Sequence, residues 1–460
     1  MERGADSQRS AIATNRFGLG ARPWDHLGVV PQAWVLGSIT AYRPRPPVIE
    51  ALEPGEALAR RFFEAQHQFR QRRQTMAAGA AGPNPASALA DQAYAAQLRA
   101  RIVAAVEQPA SFVERLVHFW ANHFAVSADK PVLRALAGCL ELEAIRPHVL
   151  GRFTDLLLAV ERHPAMLIYL DQARSIGPNS PMGLKARRSD TKRVAGLNEN
   201  LARELLELHT VGGGHSQSDV LELARALTGW TVGGPKPFTE ATPGRFTFRP
   251  EAHEPGDRTC LGKRYPEGGE EQALSILQDL AVHRATANHL CGKLARHFVA
   301  DDPPPALVAR LAQVFLTTGG DLGSVYRSLV EAPEAWAVPL AKFKSPWEWM
   351  ISALRALEVA PDSVNVRRGL SDLGQPVWRP RSPAGWPDRT QAWAGPHALY
   401  ARVRLAEQLA QAAGQADARA IAPLVLPGVL RESTASVIDG ADSAAQGLAL
   451  LVASPEFLRR

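Results

Sequence analysis

Between Leu197 and Trp230 the apolar positions fall at helical intervals. Leu197, Leu201, Leu205 and Leu208 make one stripe, and Glu199, Asn200, Arg203, Glu204 and Glu207 lie across from it. Gly212, Gly213 and Gly214 stop this helix, because glycine takes the left-handed conformation that a helix end uses. Ser216, with Asp219 three residues on, predicts the cap of a second helix. Its buried face is Val220, Leu223, Ala224 and Leu227, and Gly229 closes it. The pair reads as an αα-hairpin. The same period recurs along the chain: an alanine-rich helix ending near Val106, a helix over 111–124, another over 151–161, and helices again from 270 to 331, around Trp347, and beyond 397. Alternation is confined to 244–265, where Phe246 and Phe248 predict a small projecting β-hairpin whose tip holds His253, Glu254 and Asp257. The expected fold is therefore mainly α, with residues 1–460 as one large multi-helix body and 244–265 inserted into it. A loop rich in tryptophan and proline spans 375–396.

Some polar residues break the pattern. Asn198 and His209 project about 100–120° round the helix from Leu197, at 100° per residue, so they flank the leucine stripe. Each must find a hydrogen-bonding partner there or carry a desolvation cost. Satisfied core positions would explain both, just as ion pairs on a solvated face would explain Glu199, Arg203 and Glu207. The functional alternative turns Asn200, Arg203, Glu204 and Glu207 into a cleft. On the 111–124 helix, Phe112, Leu116, Phe119 and His123 share one face, while Glu114, His118 and Asn122 fall on the wetter side. Burial would keep His123 neutral, able to act as a base or ligand. Glu114 offers His118 an ordinary ion pair. His297 lies in LARHFV, whose buried face is marked by Leu294 and Phe298. In the 375–396 loop, Trp378, Trp386 and Trp393 suggest packing, and Asp388 follows Gly385-Trp386-Pro387.

Composition changes this picture little. The 460 residues carry a formal net charge of +6, mildly basic and without aromatic-interleaved basic stripes, so a nucleic-acid role is not expected. The basic run Lys185, Arg187, Arg188, Lys192 and Arg193 reads as a solvated loop. Three widely spaced cysteines with no CxxC pattern indicate neither a zinc knuckle nor a disulfide framework. The chain has no run of about 20 apolar residues to span a bilayer and no apolar leader segment. The expected location is cytoplasmic as written, with export if the start codon is misassigned.

The string NENLARELLELHTVG followed by DVLELARALTGW resembles the central signature of the bacterial domain-of-unknown-function 1800 family. NRFGLGARP, FWANHFAVS, HPAMLIYLD, KLARHFVADDPPP, KFKSPWEWMISALRAL, LGQPVW and PAGWPD are collinear with it and extend the resemblance over nearly the whole chain. It implies the fold, and no established activity. It also implies a partner, since members are often exported and encoded beside sulfatase-like proteins. Family members commonly carry His-Asp where this chain has His253-Glu254.

Two functions from different classes follow. In the first, a polar site between helices supports metal-assisted hydrolysis, with His123, Glu204, Glu207 and His209 as catalytic groups. Asn122, Asn198, Asn200, Arg203, His253, Trp386 and Asp388 would hold the substrate, and a divalent metal with oxygen-rich ligands would be the cofactor. No HExxH, GxSxG, Walker or Rossmann pattern narrows the chemistry further. In the second, the protein is a non-catalytic helical binding or accessory protein for an enzymatic partner, and the same polar residues serve structure alone.

Overall fold

A computed structural model of the chain describes residues 2–25, 30–75, 82–109, 111–188, 196–234 and 244–460, with side chains from residue 6 onward. Lys192 and Arg193 of the basic run, and residues 77–81, lie outside this set. The fold is mainly α, with two small two-stranded antiparallel sheets. One contiguous apolar core runs through it from Ile12 to Leu458. Among the described residues no helix is long and apolar enough to cross a membrane.

The helical hairpin forms as its spacing predicts, with one departure. The first helix is α-helical over Asn200–Glu204 and then widens into a π-helical turn over Leu205–His209. Gly212 and Gly214 take the positive φ angles, +75° and +78°, that let the chain leave it. Ser216 Oγ accepts from the Asp219 N–H while the Asp219 carboxylate accepts from the Ser216 N–H, which completes the capping box of helix Gln217–Ala226.

The 244–265 stretch carries the strands expected of it, in two separate ladders. Strand β1 (Trp230–Val232) pairs antiparallel with β2 (Phe246–Phe248), and β3 (Arg258–Cys260) with β4 (Lys263–Tyr265). Only Leu261 and Gly262 join β3 to β4, both at positive φ, as a tight two-residue hairpin turn requires. Phe246 instead pairs back to the strand that follows the helical hairpin. The β3–β4 turn is tied to helix Gln217–Ala226 by the Leu261 N–H, which donates to Asp219 Oδ1 at 2.7 Å.

Helix Ser111–His123 runs through the middle of the core and is buried on nearly every side. Glu114 and Arg115 are each only 1% exposed on it. Glu114 grips the Arg146 guanidinium with both oxygens, and Arg115 pairs with Glu348 and donates to the Gly18 carbonyl at 2.7 Å. On the face read as wetter, Glu114 is thus buried, because Arg146 supplies the neutralising charge, while His118 and Asn122 are half-buried. Beside it lie helices Arg284–Phe298 and Pro346–Ala356, with the 375–396 loop across their ends.

A candidate acid–base cleft

A cavity of about 360 Å³ opens among these elements. Helix Ser111–His123 contributes His118, Phe119, Asn122 and His123; helix Arg284–Phe298 contributes Lys293 and His297; the loop contributes Trp386 and Asp388. Two residues position the loop. Asn122 Oδ1 accepts from the Trp386 N–H at 2.7 Å and its amide donates to the Trp386 carbonyl at 2.9 Å, as a neighbouring strand would. Gly385, at φ +76°, lies so close that a Cβ there would meet the Asn122 carbonyl oxygen at 2.3 Å. Only glycine allows that approach.

Asp388 is a fixed negative charge. Burial alone would push its carboxyl up, but His297, Lys342 and Arg460 outweigh this and hold it well below the usual carboxylate range. An ionised carboxylate accepts only, so His297 Nδ1, 3.0 Å from Asp388 Oδ2, is the protonated nitrogen. Burial lowers the His297 imidazole despite that carboxylate, and the neutral ring keeps a lone pair on Nε2. His118 is set the other way. Trp347 Nε1–H can only donate, and it meets His118 Nδ1 at 3.1 Å. Burial holds His118 well below its ordinary value, so the neutral ring carries its proton on Nε2. Both Nε2 atoms are buried without a hydrogen-bond partner, and both rings line the same cavity. One is a base and the other a donor.

A second string of polar groups runs back from the cavity wall. His123 Nε2 lies 3.2 Å from the His209 carbonyl, which can only accept, so His123 Nδ1 is unprotonated and accepts from Lys293 Nζ at 2.9 Å. Burial, and then the Lys293 charge, hold His123 well below its ordinary value. Burial likewise lowers the Lys293 amine, to about 8, against the pull of Asp388. Among the described residues Lys293 has no carboxylate ion-pair partner. His209 Nδ1 lies 2.7 Å from the wholly buried Glu161 carboxylate.

Four of the residues singled out from sequence therefore stand at this cleft: Asn122, His123, Trp386 and Asp388. His209 sits behind His123, with ring centroids 6.1 Å apart. The others are elsewhere. Glu207 ion-pairs at the surface with Arg203 at 3.5 Å and His215 at 3.7 Å. Glu204, one turn before, is partly buried, and its carboxyl is raised by that burial. Asn198, Asn200 and Arg203 edge a shallow open depression with Asp171 and Arg174. Asn198 joins the start of its helix to the Leu170 carbonyl. His253 Nδ1 lies 3.0 Å from the Thr228 carbonyl, against Phe248, and Glu254 binds Asn179. Among the described residues no group of three or more His, Cys, Asp or Glu stands ready to hold a metal ion. Of the other polar groups here, sequence weighs His118 below His123, notes His297 only for its apolar neighbours, and passes over Lys293. The signal available was the four-residue spacing of Lys293 and His297, which puts two functional groups on one helix face.

The model of a family described as "Protein of unknown function (DUF1800)" matches residues 12–459. Comparison with curated proteins and with solved structures finds no match for the chain.

Proposed function

The chain belongs to this family of unknown function, and from its geometry we propose that it is an acid–base enzyme acting at a carbonyl group of a small substrate. One observation carries the reading: two largely buried imidazoles of opposite tautomer, each with an Nε2 that has no hydrogen-bond partner, line one cavity. His297, oriented by Asp388, is the general base. His118 keeps its proton and donates a hydrogen bond to the carbonyl oxygen, where neutral imidazole can stabilise developing negative charge. The hydrolase expected from sequence is the case in which His297 takes its proton from a water attacking that carbonyl. Asn122 and Trp386 fix the loop that supplies Asp388. His123 and His209 support the cavity wall.

The test needs no prior substrate. Small carboxylates, 2-oxo acids, aldehydes and carboxylic esters are screened by thermal shift, and any that raise Tm are followed for turnover by NMR. Wild type is expected to convert at least one of them, and His297→Asn to lower kcat by about 10²–10⁴-fold, the usual worth of a general base. His118→Phe is expected to act mainly on kcat as well. Turnover unaffected by both substitutions would end the acid–base reading.

One observation favours the accessory role instead. Leu399, Tyr400 and Val403 are exposed on helix Pro396–Ala412, an apolar face of the kind that interfaces use. In that reading the partner is the sulfatase-like protein that the family resemblance implies. It is expected to bind wild type and His297→Asn equally and to lose affinity for Tyr400→Asp, as measured by calorimetry.

A further inference from the structure

Lys293 has no place in the reading so far. Ordinary lysines lie at the surface, or pair with a carboxylate where they are buried. This one lines the cavity, is largely buried, and has a neutral imidazole as its hydrogen-bond acceptor. It is also one helical turn from His297 on the same face of helix Arg284–Phe298. A cation with so little compensation is held there at a cost, and the arrangement that turns such a cost to use is a neutral amine.

We propose that Lys293 is a nucleophile that binds an aldehyde or ketone substrate as an imine. This rests on the carbonyl-enzyme reading above and names the atom that attacks. Nζ forms a bond to the carbonyl carbon while the π pair of the C=O bond moves to oxygen, which His118 Nε2–H steadies. His297 Nε2 takes one proton from Nζ and delivers it to that oxygen, giving the carbinolamine. It then carries the second proton the same way. The C–O bond breaks, water leaves, and the nitrogen lone pair closes the C=N bond. Amine and carbonyl go to imine and water, with no oxidant or further reactant. Both amine protons end on the departing water. A lowered amine, to about 8, supports this by supplying neutral nitrogen near neutrality.

The test is reductive trapping on the intact wild-type protein at pH 7, with pyruvate and glyceraldehyde as probes and cyanoborohydride as reductant, read by peptide mapping. Lys263, exposed and ion-paired to Asp279, is the internal reference. One or both probes are expected to label Lys293 about tenfold or more faster than Lys263, because a larger share of its amine is neutral. Lys293→Arg should abolish that adduct while the circular dichroism spectrum is kept. Lys293 labelled no faster than Lys263 by either probe overturns the proposal. If that occurs while turnover still depends on His297, only the nucleophile is wrong. Fast Lys293 labelling that is equally fast in His297→Asn keeps the nucleophile and removes the base.

Discussion

Burial lowers the Lys293 amine from 10.5 to about 8, so between those values the unfolded chain binds a proton that the folded chain does not. Stability then rises with pH across that window. The penalty is present in full below pH 8, where the amine is charged in both states, and is gone above 10.5. Lys293→Met is therefore expected to stabilise the protein at pH 7 by about 1–2 kcal/mol, a net of the relieved burial and the partner lost to His123. The gain should vanish at pH 10.5, as denaturant melts at the two pH values would show. A gain independent of pH would mean that the amine is not the cause. At this scale sequence was a partial guide. It singled out His123 and Asp388, whose surroundings (FWANHF, GWPD) are distinctive. It put His118 on a wet face beside Glu114, because nothing local shows that Arg146, 32 residues away, takes Glu114 for itself. Protonation states were illegible as well. They follow from what each ring nitrogen touches, and Trp347 and Asp388 reach His118 and His297 from more than 90 residues away.

Elements were easier to read than their exact course. The capped hairpin from Leu197 to Trp230 follows from leucine spacing, glycine and a Ser–Asp box, all of them local. The π-helical turn at Leu205–His209 does not; it ends with His209 against the buried Glu161, a contact made by a residue far away in the chain. Strand pairing was half legible: alternation marks a strand but not its partner. The 375–396 loop shows how an irregular element can still be exact. Asn122 binds Trp386 through two hydrogen bonds, and Gly385 lets the backbones meet. Asn122→Ala removes both bonds and is expected to cost about 1–3 kcal/mol, since it leaves largely buried backbone groups unpaired. Gly385→Ala should do at least as much harm, because its Cβ has nowhere to go. Both substitutions would free the loop from the cleft, so limited proteolysis should cut faster between residues 380 and 390 than in wild type. Unchanged cleavage would mean that the tryptophans alone hold the loop.

At the scale of the molecule, the cleft depends on segments from the two ends of the described chain. Leu19 lines it, and Arg115, beside it, holds the Gly18 carbonyl. At the other end the Arg460 guanidinium donates to the His297 carbonyl, pairs with Glu348 at 2.8 Å and approaches Asp388 at 3.6 Å. Backbone pairing of residue 460 with Lys342 fixes it there. The buried charges Arg115, Glu348 and Arg460 and the half-buried Asp388 thus form one network, and taking one buried member away strands the others in a medium where an unpaired charge costs several kcal/mol. Arg460→Ala is expected to destabilise by about 3–5 kcal/mol, and to let the Asp388 carboxyl rise toward its ordinary value, weakening its hold on His297. Such a network suits a body that unfolds as a unit. Asn15, whose side chain accepts from Lys344 at 3.0 Å, offers the matching probe near the other end. If residues 12–460 behave as one cooperative body, Asn15→Ala and Arg460→Ala will lower the midpoint of the same calorimetric transition. Two transitions, each moved by only one variant, would mean that the cleft joins parts able to fold apart.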